Sequence, residues 1–318
     1  MRPVLWAILG AMPLAAQVNI AQHGIEYISV EIKGKPFTQF FIGPETNKPY
    51  LHPLRSASGK IVTRGYPMED VPGETRDHPH HRGLWFSHGD VNGLDFWGNE
   101  TRGPKFGRIV LAKVNSISSG KESGTIDATF AWRDPSGKVL LDETRRMTFY
   151  AEPKNRVIDF DIVLTAREKV VFGDTKEGTF AIRLAPSLEE PHSGSPAQPV
   201  RTGKMVDSQG RTGEKEVWGK RADWVDYAGK VDGEPLGIAI LDHPANPRHP
   251  AWWHARSYGL FAVNIFGLHD LENDKSKDGS LTLPAGESLH FRYRVVIHPG
   301  DANSARIPQL YRDYSAGK

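Results

Sequence analysis

The sequence predicts an all-β protein, a large antiparallel β-sandwich followed by a short C-terminal helix. Apolar and polar residues alternate over residues 156–165 (RVIDFDIVLT), which is typical of a strand with one face in a core. Helical periodicity is nearly absent before residue 302. The 32 glycines and 23 prolines suit many short strands joined by turns. Many strands without helices between them indicate two stacked sheets.

Strand patterns recur along most of the chain. Alternating, β-branched or aromatic residues predict strands at residues 27–32, 37–42, 107–117, 124–132, 138–150, 156–165, 178–184, 236–241, 259–265 and 288–297. A turn sequence, DPSG at residues 134–137, separates two of these strands. In the tail, residues 302–314 are predicted to be helical because Ile307, Leu310, Tyr311 and Tyr314 fall at helical spacing.

Residues 17–318 are expected to form a single β-sandwich domain. The length of 318 residues permits one large β domain or two smaller ones. No proline- or serine-rich linker and no internal repeat divides the chain, although residues 189–213 are polar and loop-like. One large sandwich is therefore the prediction, and two fused smaller sandwiches are the alternative.

Residues 1–16 are predicted to be a signal peptide. Arg2 precedes an apolar run at residues 4–16 (VLWAILGAMPLAA), which ends in small residues and is too short to span a bilayer. A buried N-terminal strand or helix is the alternative interpretation. The protein is therefore expected to be secreted or periplasmic, and no other segment is apolar and long enough to span a membrane.

Charge and cysteine content exclude several classes of function. Forty Lys and Arg residues against 38 Asp and Glu give a net charge of +2, and no basic run occurs, which argues against a nucleic-acid partner. The chain has no cysteine, which excludes disulfides and thiolate metal sites. The expected partner is a small-molecule or oligosaccharide substrate, and the sequence does not predict an oligomeric state.

Residues 77–97 (DHPHHRGLWFSHGDVNGLDFW) are the strongest candidate for a functional site. Four of the 13 histidines and two of the eight tryptophans lie in this stretch, together with aspartates, an arginine and several glycines. A stretch that only filled a core would consist of valine, isoleucine and leucine. Titratable groups, aromatic rings and glycines together are typical of a site for a polar ligand.

Four segments resemble the family labelled "methane oxygenase PmoA", or PmoA-like. They are residues 77–97, 174–185 (DTKEGTFAIRLA), 223–229 (DWVDYAG) and 249–267 (HPAWWHARSYGLFAVNIFG), and the resemblance covers essentially the whole mature chain. The architecture also resembles the galactose-mutarotase-like supersandwich, which sugar epimerases, polysaccharide lyases and several glycosidase domains share. This resemblance implies a sugar enzyme with histidine and carboxylate in one cleft, whereas the family label implies a metal-dependent oxygenase.

A transition-metal site is one interpretation of the histidines. His78 and His80 would project to one side of an extended segment, and Pro79 between them favours extension. A third ligand could come from His88, Asp90 or His254. The alternative metal ligands are therefore His78, His80 and His254, but the sequence has no complete metal-binding signature. We assign no cofactor, and a divalent metal stays an alternative.

Metal-free acid–base chemistry is the preferred interpretation. Imidazole titrates near neutral pH, so a histidine can exchange protons with a sugar hydroxyl or ring oxygen. The predicted catalytic residues pair histidines with carboxylates, and they are His81, His88, Asp90 and Glu177. The alternative for each histidine is a hydrogen bond that only holds a loop in place.

Further side chains are predicted to bind the substrate. Arg183 alternates away from the apolar face of its strand, and the alternative is a solvated arginine. Adjacent tryptophans on a strand face opposite ways, so Trp253, like Trp85, is expected to be a platform for a sugar. Asn264 is polar inside an apolar strand, which favours a ligand or a loop contact. The predicted substrate-binding residues are His78, His80, Arg82, Trp85, Asn92, Trp97, Arg183, Trp253, His254 and Asn264.

The predicted function is a secreted carbohydrate-active enzyme, a hydrolase, lyase or isomerase. The number of titratable groups favours an enzyme, because binding alone needs aromatic and amide groups more than four clustered histidines. A non-catalytic glycan-binding protein and a metal-dependent oxygenase are the alternatives. Residues 77–97 and 249–267 are expected to meet in space.

Overall fold

The computed structural model describes residues 17–193 and 197–317, so the predicted signal peptide lies outside the described residues. The strands are β1 (Val18–His23), β2 (Tyr27–Ile32), β3 (Lys35–Phe41), β4 (Tyr50–His52), β5 (Leu84–His88), β6 (Arg108–Ser118), β7 (Ser123–Arg133), β8 (Val139–Tyr150), β9 (Arg156–Ala166), β10 (Val170–Phe172), β11 (Gly178–Arg183), β12 (Lys204–Asp207), β13 (Trp224–Val231), β14 (Glu234–Asp242), β15 (Trp252–Ala255), β16 (Leu260–Asn264), β17 (Leu281–Leu283) and β18 (Ser288–Pro299). The helices are α1 (Glu214–Val217), α2 (Leu268–Leu271) and α3 (Ile307–Ser315), and Pro186–Leu188 form a 3-10 turn.

Two large antiparallel sheets contain most of these strands. Sheet A has the order β1-β2-β3-β4-β5-β11-β16-β15, and sheet B has the order β12-β13-β14-β18-β9-β8-β7-β6. Strands β10 and β17 form a separate two-stranded ribbon. Aromatic side chains from the two sheets meet in a common core, where Phe180 stacks on Tyr293 with ring centroids 4.6 Å apart. The predicted all-β sandwich is therefore confirmed.

The predicted strands are all present, but the sequence missed several short ones. The predicted segment 156–165 corresponds to β9, whose inner face is apolar from Ile158 to Ala166. The C-terminal helix begins only at Ile307, because Arg306 before it adopts a left-handed conformation with φ of 57°. No helix among the described residues is long and apolar enough to cross a membrane.

The register of sheet A aligns one row of side chains across five strands. Tyr50 pairs with Trp85, Trp85 with Ala181, Ala181 with Ala262, and Ala262 with His254. Because side chains alternate along a strand, this row lies on the face of sheet A that points away from sheet B. The two alanines pack in one apolar cluster with Trp85 and Trp97 on this outer face.

The core between the sheets encloses an ion pair. Glu143 and Arg145 alternate to the inner face of β8, and their side chains are 0% and 2% exposed. The Arg145 Nη2 atom lies 2.6 Å from Glu143 Oε1, and Trp132 Nε1 donates to Glu143 Oε2 at 2.8 Å. The guanidinium also lies 5.3 Å from the centroid of the Phe130 ring. Both charges therefore depend on each other for compensation.

Replacing one partner of this pair is expected to destabilise the fold strongly. Arg145→Leu leaves the Glu143 carboxylate buried without a cation, which costs about 3–5 kcal/mol in the free energy of unfolding. The double variant Glu143→Leu/Arg145→Leu is expected to lose less than the single variant. Urea unfolding of Glu143→Leu, Arg145→Leu and the double variant measures this, and a double variant as unstable as the sum of the two single ones would contradict the prediction.

Candidate functional site

Residues 77–83 form a turn that packs on the outer face of sheet A. The backbone N–H of His81 donates to the carbonyl of His78 at 3.0 Å, and His78 itself has a φ of 45°. The expectation that His78 and His80 project to one side of an extended segment is therefore wrong. Pro79 occupies the second position of this turn, where its fixed φ is favourable, and this explains the difference.

Arg183 holds the turn against β11. Its side chain is fully buried, and its Nη1 donates to His81 Nδ1 at 3.1 Å while its Nη2 donates to Asp77 Oδ1 at 3.2 Å. A second buried guanidinium, that of Arg64, donates to the same Asp77 oxygen at 2.5 Å. Arg183 therefore lies on the predicted face of its strand, but it is not the solvated arginine of the alternative interpretation.

The Asp77 carboxylate stays ionised in this environment. Partial burial alone would raise its pKa, but the hydrogen bond from His78 and the charges of Arg183 and Arg64 outweigh burial. The pKa of Asp77 therefore lies well below its usual range. Asp77 acts as a hydrogen-bond acceptor that orients its neighbours, and not as a proton donor.

Four rings stack in a column above sheet A. Tyr258 stacks on His78, His78 on His81, and His81 on Trp85, with ring centroids 5.4, 4.7 and 5.3 Å apart. Trp97 packs beside Trp85 with ring centroids 5.0 Å apart. Trp85 was expected to be an exposed sugar platform, but its ring is fully buried beneath His81. The outer end of the column is formed by the partly exposed rings of His78 and Tyr258.

The column joins the two segments that the sequence singled out. Tyr258 belongs to residues 249–267 and His78 to residues 77–97, so the expectation that these segments meet is confirmed. Sequence reasoning missed Tyr258 and Arg64, which carry no motif signal of their own.

Polar atoms on and beside the outer face of sheet A are buried without a hydrogen-bond partner among the described residues. They are His81 Nε2, Trp85 Nε1, Ser87 Oγ, Trp97 Nε1, Thr179 Oγ1 and His254 Nε2. Ser87 and Thr179 are direct neighbours in the pairing of β5 with β11. Buried polar groups in proteins are rarely left unpaired, and each one costs about 1–3 kcal/mol. A cluster of them therefore indicates a place where water or a ligand completes the hydrogen bonds.

The protein contacts determine which of these atoms donate and which accept. A guanidinium can only donate, so the His81 Nδ1 that contacts Arg183 is an acceptor and the proton resides on Nε2. His254 Nδ1 donates to the carbonyl of Lys176 at 2.9 Å, which leaves its Nε2 as an acceptor. Burial lowers the pKa of His254 to about 3 and holds that of His81 well below its usual value. Both imidazoles are thus neutral at pH 7.

His80 lies at the edge of the cluster and is partly exposed. Its ring packs edge-on against His81, and neither ring nitrogen has a hydrogen-bond partner among the described residues. Burial and the nearby charge of Lys48 lower its pKa to about 3. Lys48 is itself buried, which lowers its pKa to about 8, and its Nζ donates to the carbonyl of Trp97 at 2.8 Å.

Two further predicted residues lie at the margins of the cluster. Arg82 donates to both carboxylate oxygens of Glu100, so it forms a forked ion pair. Glu177 is partly exposed in the loop before β11, and its Oε1 lies 3.5 Å from Lys176 Nζ. Burial raises the pKa of Tyr258, although the charges of Arg256 and Arg183 lower it, and the charge of Glu177 adds to the effect of burial.

His88 and Asp90 do not join His81, contrary to the expectation of one catalytic group. His88 alternates to the inner face of β5, where it is fully buried beside Phe266 and donates from Nε2 to the carbonyl of Gly173 at 2.9 Å. Sheet A therefore separates His88 from His81. Asp90 Oδ1 accepts a backbone N–H three residues further on, and this contact shapes a loop.

The two predicted asparagines bridge neighbouring loops. Asn92 donates to the carbonyl of Lys169 and accepts the backbone N–H of Val171 at 2.7 Å. Asn264 donates to the carbonyl of Thr175 at 2.9 Å, and its Oδ1 accepts backbone N–H groups from the following turn. For Asn264 the structure therefore shows the alternative of a loop contact.

Trp253 lies in the core instead of at the surface. Its ring is fully buried against Phe261, and its Nε1 donates to the carbonyl of Ala222 at 2.9 Å. Trp252 faces the opposite way, as predicted, and its ring lies under the guanidinium of Arg221. The expectation that Trp253 is a sugar platform is therefore corrected, because no face of its ring is free.

The alternative metal site is not assembled among the described residues. No group of three or more His, Cys, Asp or Glu residues there is placed to hold a metal ion. His78 Nδ1 is 2.8 Å from Asp77 Oδ2, and His254 Nδ1 contacts a carbonyl. The set of His78, His80 and His254 therefore does not converge on one point.

Buried neutral histidines are expected to make the fold sensitive to acid. The pKa values of His254 and His88 in the folded state are about 3 and about 4, below the ordinary 6.5. At pH values between the folded-state pKa and 6.5, the unfolded chain binds more protons than the folded protein. The contribution of the two neutral histidines to stability is therefore complete above pH 6.5 and is lost as the pH falls. The free energy of unfolding is expected to fall by on the order of 3 kcal/mol per histidine between pH 6.5 and pH 4.

Urea unfolding from pH 4 to pH 7 measures this dependence. In His254→Asn the amide nitrogen replaces Nδ1 as donor to Lys176, and the slope of stability against pH is expected to decrease by about one proton. An unchanged slope in this variant would show that His254 does not contribute.

Comparison with known proteins gives a family but no activity. The model of a family of unknown function, DUF6807, matches residues 27–312, and a search of curated proteins found no match. The PmoA-like resemblance is not confirmed, because the matching family carries no such description.

Solved structures share features of the architecture at low sequence identity. A galactose mutarotase-like protein from Clostridium acetobutylicum is 11% identical, with a TM-score of 0.43 over 89% of this chain and 99% of that one. Galactose 1-epimerase from Lactobacillus acidophilus is 9% identical, with a TM-score of 0.42 over 90% and 100%. An α-galactosidase from Lactobacillus brevis is 9% identical, with a TM-score of 0.41 over 91% of this chain, which spans only 40% of that enzyme. Similarities of this size carry no information on what the chain binds. By the match over residues 27–312, the chain belongs to the DUF6807 family.

Proposed function

We propose that this chain is a carbohydrate-active protein that binds a neutral sugar at the outer face of sheet A. The observation that supports the proposal is the cluster of buried, unpaired polar atoms around His81 and Thr179. The cluster offers a donor at His81 Nε2 and an acceptor at His254 Nε2. A sugar hydroxyl can donate and accept at once, so a polyhydroxylated ligand complements such a mixture.

The charges around the cluster favour a neutral ligand over an anionic one. Arg183 and Arg64 both contact Asp77, and Arg82 is paired with Glu100. A guanidinium already engaged by a carboxylate has little left to offer a phosphate or a second carboxylate. Hydroxyl groups, by contrast, need only the neutral donors and acceptors that the outer face supplies.

Access to these atoms requires a movement at the outer end of the ring column. His78 is 40% exposed and Tyr258 is partly exposed, whereas the rings below them are buried. We infer that these two rings move aside and then contact the apolar face of the sugar, as aromatic rings commonly do. In this proposal Tyr258 and His78 take the role that the sequence suggested for Trp253.

An acid–base enzyme at the same site is the second candidate. A general acid or base works best when its pKa lies near the working pH, and burial moves His81 and His254 away from that range. Glu177 favours catalysis, because this partly exposed carboxylate directly precedes β11, two residues before Thr179. His80 adds an unpaired imidazole at the edge of the cluster. Export from the cytoplasm, as the pattern of residues 1–16 suggests, would suit an extracellular sugar substrate in either case.

Removing an unpaired hydroxyl is expected to weaken binding without harming the fold. Thr179→Val replaces the buried hydroxyl by a methyl group of similar size, so the melting temperature should stay the same or rise. Sugar affinity is expected to fall by about tenfold, the value of one hydrogen bond. Calorimetry with D-glucose, D-galactose, lactose and D-glucuronate measures the affinity.

Thr38→Val is the matched control, because the Thr38 hydroxyl is also buried and unpaired but lies in β3, outside the cluster. Its binding should equal that of the wild type. Equal affinities for Thr179→Val, Thr38→Val and the wild type, or no binding of any of the four sugars, would refute the proposed site.

The enzyme candidate is tested at Glu177. If the protein acts on a glycoside or epimerises a sugar, Glu177→Gln is expected to lower kcat about 100-fold and to change KM little, because the charge is lost but the shape is kept. Polarimetry of freshly dissolved sugars and release of nitrophenol from nitrophenyl glycosides measure turnover. Asp270→Asn is the matched control, since Asp270 is similarly exposed and also lies near Lys176. Sugar binding without turnover in the wild type would leave the binding protein as the function.

A further inference from the structure

A second cleft lies on the outer face of sheet B. It has a volume of about 770 Å³ and is enclosed by β12, β13 and the segment that leads into α3. Trp224, Asp226 and Ala228 alternate outward from β13 and line it, while Val225 and Tyr227 between them point into the core. Both sheets therefore separate this cleft from the ring column on sheet A.

A buried carboxylate oxygen in this cleft has no partner. The Asp226 side chain is 0% exposed, and its Oδ1 accepts a hydrogen bond from His298 Nε2 at 2.8 Å. Its Oδ2 is buried and makes no hydrogen bond among the described residues. A carboxylate can accept several hydrogen bonds, and one left without a donor in a water-poor environment is costly. A donor supplied from the cleft would complete its shell.

The same cleft contains an unpaired donor. Trp224 is 7% exposed and lines the cleft, and its indole N–H, which makes no hydrogen bond among the described residues, is not one of the buried unpaired atoms and so is open to solvent. An acceptor and a donor thus lie two residues apart on one strand face, which corresponds to about 7 Å along the strand. Hydroxyl groups on one sugar ring, or on two linked rings, can reach both positions.

We propose that this cleft is a second saccharide site, in which Asp226 Oδ2 accepts a hydrogen bond from one sugar hydroxyl and the Trp224 indole N–H donates to another sugar oxygen. The volume lies within the range of small-ligand pockets, which is roughly 300–1,000 Å³. The exposed side chains of Lys204 and Lys230 lie at the rim, where their ammonium groups can pair with a carboxylate on an acidic sugar. The site does not depend on the function proposed for sheet A.

Calorimetry on a background in which the first site is weakened tests this proposal. In the variant Ser87→Ala/Thr179→Val the cluster on sheet A lacks its two hydroxyls, and the cleft on sheet B is unchanged. D-glucose, D-galactose, lactose and D-glucuronate are titrated into this background. At least one of them is expected to bind, with about tenfold lower affinity once Asp226→Asn is added, because a charged acceptor is replaced by an amide.

Two further variants keep the test decisive. Ala228→Leu fills the cleft but leaves Asp226 and His298 in place, and it is expected to abolish binding. It therefore tests the site even if Asp226→Asn does not fold. Asp161→Asn is the matched control, because Asp161 bonds His290 at 2.8 Å on the same face of sheet B but outside the cleft. It should bind as the background does.

The results separate the two sites. Loss of binding in Ala228→Leu with normal binding in Asp161→Asn supports the second site, whatever Thr179→Val does to the first. Lys204→Gln distinguishes an acidic from a neutral sugar, since only D-glucuronate should then bind more weakly. No binding of any of the four sugars to the background, or unchanged binding in both Asp226→Asn and Ala228→Leu, would overturn the proposal.

Discussion

The buried guanidinium of Arg183 is the constraint on which the outer face of sheet A depends. A charge taken out of water must be paired, or it destabilises the fold by several kcal/mol. Arg183 finds Asp77 at 3.2 Å and His81 at 3.1 Å, with the Glu189 carboxylate 3.9 Å away. The turn at residues 77–83 must therefore fold back over β11, and this movement carries the histidines onto the sheet.

Once the turn is in place, burial determines the chemistry of its side chains. Burial keeps His81 and His254 neutral, whereas Asp77 remains ionised because the hydrogen bond from His78 and the charges of Arg183 and Arg64 outweigh its burial. Neutral imidazoles present one donor and one acceptor each. The contacts with Arg183 and Lys176 determine which ring nitrogen carries the proton and which accepts a hydrogen bond. A cluster that looks titratable in the sequence is thus a set of fixed hydrogen-bonding groups in the structure.

Alternation along strands made the fold and part of the site predictable. It placed Arg183 on the correct face, and applied to β5 it would also have sent His88 inward with Phe86. Alternation also places Trp252 and Trp253 on opposite faces of β15. The polar His254 shares its face with Trp252, which indicates that Trp252 is on the outer face and Trp253 on the inner one. The partners of Arg183 were not predictable, because Asp77 comes from a turn 106 residues earlier in the chain. No local pattern encodes contacts of that range.

The outer faces of the two sheets differ in how completely their polar groups are paired. On sheet B, Arg294 forms two hydrogen bonds with Asp159, and His290 is bonded to Asp161. These pairs are complete within the chain, so they call for no ligand. Unpaired buried atoms also occur elsewhere, as at Thr38 and Tyr293, but several of them lie on the outer face of sheet A around His81 and Thr179, and that of Asp226 lies beside the cleft on sheet B. Because each unpaired buried group is costly, several of them on one face, or one beside a cleft that can admit a partner, are the physical mark that distinguishes a binding site from a merely polar surface.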